Sequence, residues 1–157
     1  MPTVERVAQS QEVVMIEVQR VMAVRRPAAE VLDYLADFGH AVEWDPGTEQ
    51  CERVDAGPVG PGARWRNVSV FRGRRTELAY VLESWEPDRL RFVGRNRTVT
   101  ATDEITVRPD GAGASVHYRA RLRFHGLARL AGPLLRREFE RLADATARRL
   151  PEVLDGR

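Results

Sequence analysis

A chain of 157 residues, 43% hydrophobic and 31% charged, fits one folded domain and excludes a disordered polymer. Its net charge of +2 sets bases that are all Arg against 23 acidic residues interleaved with them, so no basic stripe marks a nucleic-acid groove. No run of about 18 apolar residues occurs, which excludes a spanning helix.

Residues 1–12 are polar, are expected to be ordered only in part, and lack the apolar segment of a secretory signal; a cytoplasmic location is expected. One domain is expected over 13–153. The β-branched run from Val13 to Val24 predicts a strand, and Arg26-Pro27 ends it. From Ala28 to Phe38 the apolar positions Val31, Leu32, Leu35 and Phe38 fall at helical spacing. A second short helix or turn, His40 to Trp44, closes at Asp45-Pro46-Gly47.

Strands follow near 48–55, 63–72, 74–86, 89–95, 98–108 and 114–125, separated by Gly57–Gly62, Gly73, Pro87-Asp88, Arg95–Arg97 and Asp110-Gly111. Such short connections imply antiparallel neighbours. Last, Leu127, Leu130, Leu134, Leu135, Phe139, Leu142, Thr146, Leu150 and Val153 trace one face of a long amphipathic helix, with a kink or a start expected at Pro133.

Several of these pieces form an ordered set. Val31–Phe38 followed by Glu43-Trp44-Asp45-Pro46, then Gly60–Trp65, Trp85–Arg89 and Asp110–Gly113, resembles the SRPBCC (START/Bet v 1-like) superfamily, and within it the polyketide cyclase/dehydrase group. The resemblance covers about residues 13–153. It implies an α+β helix-grip fold: a curved antiparallel seven-strand sheet wrapped around the C-terminal helix, with a ligand cavity between them. Members of the superfamily include lipid carriers, hormone receptors and aromatase/cyclases, so the fold alone does not choose a function.

Alternation sorts the faces of the strands. Val116, Tyr118, Ala120, Leu122 and Phe124 share one side of the last strand, and His117, Arg119, Arg121 and Arg123 the other; the first set is expected inside. In the preceding strand Val99, Ala101, Ile105 and Val107 are the inward set, and Asp103 stands among them. A register in which paired positions sum to about 221 would set Asp103 opposite Tyr118. A buried carboxylate needs a partner or takes up a proton. Either the two residues satisfy each other, or a bulge turns Asp103 outward to an Arg, or the pair binds a ligand or moves a proton. In the 63–72 strand, Trp65, Asn67, Ser69 and Phe71 share a side; a turn at Gly73 would set Asn67 near Tyr80 and Ser69 near Leu78. The expected lining is Trp65, Asn67, Ser69, Tyr80, Leu82, Phe92, Asp103, Tyr118 and Leu122, with Asp103 and Tyr118 as the candidate acid/base pair. Simple core packing is the alternative for this set.

Nothing else in the chain reads as a reactive site. His40, His117 and His125 have no metal-ligand spacing, the single Cys51 allows no internal disulfide, and neither a phosphate loop nor a nucleophile elbow occurs. No cofactor or metal is expected. The expected function is binding or carriage of a hydrophobic small molecule (lipid-, isoprenoid- or polyketide-like), by a monomer or homodimer. The alternatives are a polyketide cyclase/dehydrase-type enzyme using the same cavity, and a regulatory or partner-binding module.

Overall fold

The first ten described residues, Met15–Val24, are extended as their β-branched composition demands; they form β1 of a computed structural model that describes residues 15–126 and 132–157. Then come α1 (Ala28–Ala36), a 3₁₀ turn (Phe38–His40), α2 (Ala41–Trp44), β2 (Thr48–Arg53), β3 (Arg64–Phe71), β4 (Arg74–Trp85), β5 (Arg89–Arg95), β6 (Val99–Asp110), β7 (Gly113–Phe124) and α3 (Gly132–Asp155). The expectations for residues 1–12, for Val13 and Val14, for Leu127 and Leu130, and for the side chain of Leu134 lie outside the described residues.

The strands form one seven-stranded antiparallel sheet in the order β1-β7-β6-β5-β4-β3-β2, the expected meander closed by β1 pairing with β7. Bulges between Thr48 and Gln50 and between Leu82 and Ser84 bend its β2–β4 half. Long α3 is tied beside the edge strand β1. Arg20 on β1 reaches Glu140 at 2.6 Å and Asp144 at 2.9 Å, while the Arg26 guanidinium donates to the Leu154 carbonyl at 3.0 Å. Pro133 falls in the first turn of α3, where a missing amide hydrogen costs nothing; the interior proline is Pro151, close to the other end.

Two details differ from expectation, and both have local causes. First, α1 stops at Ala36 instead of reaching Phe38. Asp37 leaves helical geometry and its carboxylate accepts the Gly39 amide at 2.9 Å, which opens the 3₁₀ turn and swings Phe38 into the core. Second, two hairpins pair two positions away from the expected sums. Arg72-Gly73 makes the β3–β4 turn, both residues having positive φ, so Asn67 faces Leu78, Ser69 faces Thr76, and Tyr80 faces Trp65. Gly111-Ala112 makes the β6–β7 turn, so Asp103 faces Ala120, and Tyr118 faces Ile105. Sliding a two-residue turn by one position moves every pairing sum by two, and a shift of two keeps each side chain on its own face. The inward sets therefore stand unchanged.

Candidate functional site

Between the concave face of the sheet and α3 lies a cavity of about 470 Å³. It falls inside the range of small-molecule sites and equals about fifteen water volumes. Small side chains keep it open. Ala101 on β6, Ala120 on β7 and Ala143 on α3 all line it, at positions where larger residues would close the gap. Val18, Leu78, Val99, Leu122 and Leu142 supply most of the remaining apolar wall. At the end near the β3–β4 turn, Phe139 of α3 stacks on Phe71 at 4.8 Å and lies 6.4 Å from Phe124. Arg74, exposed beside Phe71 at that turn, also belongs to this rim.

The deep end is polar. Asp103 is 6% exposed, and its carboxylate accepts the Tyr118 hydroxyl at 2.7 Å, a diagonal bond across the β6–β7 ladder rather than the directly opposed pair expected. Trp44 sets its edge against the Tyr118 ring at 5.9 Å. The Tyr80 ring lies over Gly94, its partner on β5: a β-carbon there would come within 2.5 Å of it, so only glycine leaves that berth. Asp45, from the expected Asp-Pro-Gly turn, accepts the Gly47 amide and the Thr48 hydroxyl, each at 2.9 Å, and also lines the cavity. Thr146 of α3, 3% exposed, also lines the cavity.

Burial dominates the electrostatics. It pushes the Asp103 carboxyl up to about 6, against the lowering effect of the Tyr118 hydroxyl, with the neighbouring Asp45 charge adding to the rise and Tyr80 opposing it. Asp45 is raised by the same desolvation, offset by its bonds to Gly47 and Thr48 and by Arg149. Burial, reinforced by the charge of Asp103, also drives the Tyr80 and Tyr118 phenols well above their usual range. Near neutral pH Asp103 on this floor is thus largely ionised, while the two phenols are neutral.

Of the residues singled out in the sequence, Ser69, Tyr80, Asp103, Tyr118 and Leu122 line this cavity. Trp65, Asn67, Leu82 and Phe92 are buried on the same concave face but off the cavity. The Phe38 ring fills their end of the sheet, 4.5 Å from Phe92 and 6.1 Å from Trp65. Asn67 is occupied locally, its carbonyl accepting the Ser69 hydroxyl at 2.7 Å. Polar lining residues that the sequence reading does not single out include Asp45, visible in the sequence only as a turn former, Thr146, visible as the one polar member of the α3 stripe, Thr76 and Thr98. The histidines sit apart, each with its own neighbour: His40 with the Tyr34 carbonyl, His117 with Gln19 and His125 with Thr100.

The fold has many solved counterparts. A START superfamily protein from Mycobacterium smegmatis superposes with a TM-score of 0.70 at 13% identity, covering 89% of this chain and 97% of that one. The Zhui aromatase/cyclase from Streptomyces sp. R1128 gives 0.69 at 15% identity, covering 90% and 92%. Major latex-like protein 151 from Panax ginseng gives 0.66 at 8% identity, covering 90% and 98%. No curated protein matches the chain by sequence. Residues 15–155 match the family described as polyketide cyclase / dehydrase and lipid transport, and with nearly the whole chain matched and a fold shared with the START superfamily structure, the protein belongs to that family.

Proposed function

We propose that the protein binds or carries a hydrophobic small molecule, lipid-, isoprenoid- or polyketide-like, in the cavity between the sheet and α3. The observation that carries this reading is the cavity itself: about 470 Å³ with largely aliphatic and aromatic walls and a small group of oxygen atoms gathered at one end. That combination buries an apolar body by the hydrophobic effect and orients it by a few polar contacts. The family's description, which spans both lipid transport and cyclase chemistry, supports the same class of ligand. A cytoplasmic setting and a monomeric or homodimeric state form part of the proposal. Among the described residues no helix is long and apolar enough to cross a membrane.

Titration with the neutral fluorophore N-phenyl-1-naphthylamine tests it. Saturable one-to-one binding with a blue-shifted emission is expected. Gly94→Ala, which forces the Tyr80 ring off its berth, is expected to weaken binding by about tenfold, the equivalent of roughly 1.4 kcal/mol. A wild-type protein that gives no saturable signal overturns the reading.

One observation favours a second reading, a cyclase/dehydrase-type enzyme. Asp103, with its carboxyl raised to about 6, contacts Tyr118 inside the cavity, and a group poised near working pH suits proton transfer. In that case Asp103→Asn abolishes turnover while leaving the affinity for the neutral fluorophore within a few-fold.

A further inference from the structure

The proposed cavity has ends of unlike character, and the difference bears on what can lie in it. At the floor the polar groups are Asp103, Asp45, Tyr80, Tyr118 and Thr146. Each carboxylate already accepts what the protein offers it: the Tyr118 hydroxyl for Asp103, and the Gly47 amide and Thr48 hydroxyl for Asp45. In the Asp103–Tyr118 bond the hydroxyl hydrogen is committed, so that pair presents acceptor oxygens to the cavity. Tyr80 is a second phenol that acts on Asp103 as a hydrogen-bond donor, so what the carboxylate offers the cavity is its remaining lone pairs.

Among the described residues, the basic ones that line the cavity are Arg74 and Arg121, and neither stands at this end. Arg121 lies on the outward-facing set of β7, with its guanidinium 3.7 Å from Glu17 of β1. Arg74 is exposed at the rim and has no acidic partner among the described residues. Arg149 of α3 eases the charge of Asp45, but it is exposed and does not line the cavity. An anionic head brought to the floor would meet Asp103 and Asp45 in a poorly hydrated space, with like charges and no counter-ion. A donor head would meet an acceptor already held in place by Tyr118. A hydrogen bond to a charged group is worth about 1.5–3 kcal/mol, more than a neutral one, which ranks an ammonium above a hydroxyl.

Resting on the proposed ligand-binding role, we infer that the cavity selects amphiphiles that enter donor-end first. A primary ammonium, or more weakly a hydroxyl, sits on Asp103, the apolar body lies along Ala101, Ala120 and Leu122, and carboxylate-headed lipids are rejected. The rim Arg74 remains available to an acidic group at the ligand's outer end.

Displacement of bound N-phenyl-1-naphthylamine by three ten-carbon compounds near neutral pH is the test. Decylamine is expected to displace it at about tenfold lower concentration than decanoate, or better, with decanol between them. In Asp103→Asn the advantage of the amine over decanoate is expected to fall to within a few-fold. Because the decisive comparison is made on the wild-type protein, it does not depend on how the variant folds. If the fluorophore binds and decanoate displaces it as well as decylamine does, the donor-end inference is overturned and the ligand-binding proposal stands. If neither the fluorophore nor any of the three compounds binds, both are overturned.

Discussion

Replacing Asp103 with Asn is expected to stabilise the protein near neutral pH by about 3 kcal/mol, and by well under 1 kcal/mol near pH 4. The sign follows from the carboxyl. Its folded value is raised from the ordinary 3.8 to about 6, chiefly by desolvation, so the folded state holds the proton more tightly than the unfolded state does. Between those two values the native form binds more protons, and stability falls as pH rises through the window. Below pH 4 the carboxyl is protonated in both states and imposes no penalty; above pH 6 the whole penalty is present. Roughly two units at about 1.4 kcal/mol each gives the size. Asn has nearly the same shape, keeps an acceptor for the Tyr118 hydroxyl, and carries no charge at any pH. Urea unfolding of the two proteins at pH 4 and pH 7.5 measures the difference. A variant that is less stable at neutral pH would mean that the ionised carboxylate is held by favourable contacts, contrary to a desolvated floor. A buried group that costs stability in the empty protein while facing a cavity is the pattern expected of a binding residue, for which stability is given up in favour of a contact with the ligand.

Phe38→Ala is expected to cost about 3–5 kcal/mol. The ring is 3% exposed and touches aromatic neighbours on several sides: Tyr80 and Phe92 at 4.5 Å, Trp65 at 6.1 Å and Trp44 at 6.4 Å. Removing it leaves a void that rigid neighbouring rings cannot fill, so the cavity contribution adds to the lost transfer energy. The change also has a functional side. Phe38 backs the Tyr80 ring, which lines the ligand cavity, and its loss removes that support. Denaturant unfolding is expected to show the loss of stability, and the fluorophore is expected to remain bound. A cost below 1 kcal/mol would mean that the surrounding rings close over the gap.

These two residues also mark the limits of what could be read from the chain. Asp103 was conspicuous because strand alternation has a period of two, and a carboxylate among Val99, Ala101, Ile105 and Val107 breaks it regardless of register. Alternation survives a misplaced turn, so the two-position error in both hairpins moved partners along the strand without moving any side chain to the other face. It names a face, however, and not the part of that face which another element covers. Trp65, Asn67, Leu82 and Phe92 point inward, as alternation predicts, but lie off the cavity, where Phe38, which the helical spacing of residues 28–38 assigns to α1, packs against Trp65 and Phe92. The break at Asp37 depends on one side-chain cap to Gly39, and periodicity carries no trace of it. Asp45 was hidden by a competing explanation, since Asp-Pro-Gly is already accounted for as a turn. Thr146 could have been found by the reasoning that found Asp103, as a polar residue within an apolar helical stripe. The cavity depends on Ala101, Ala120 and Ala143 coming together from three elements, and their convergence is a property of the packed fold.

A crystal structure of the protein grown with decylamine tests the central claim most directly. The account requires continuous ligand density between the sheet and α3, with the alkyl chain against Ala101 and Leu122 and the nitrogen about 3 Å from the Asp103 carboxylate. Side chains collapsed into a filled interior, or an amine bound only on the outer surface, would contradict it.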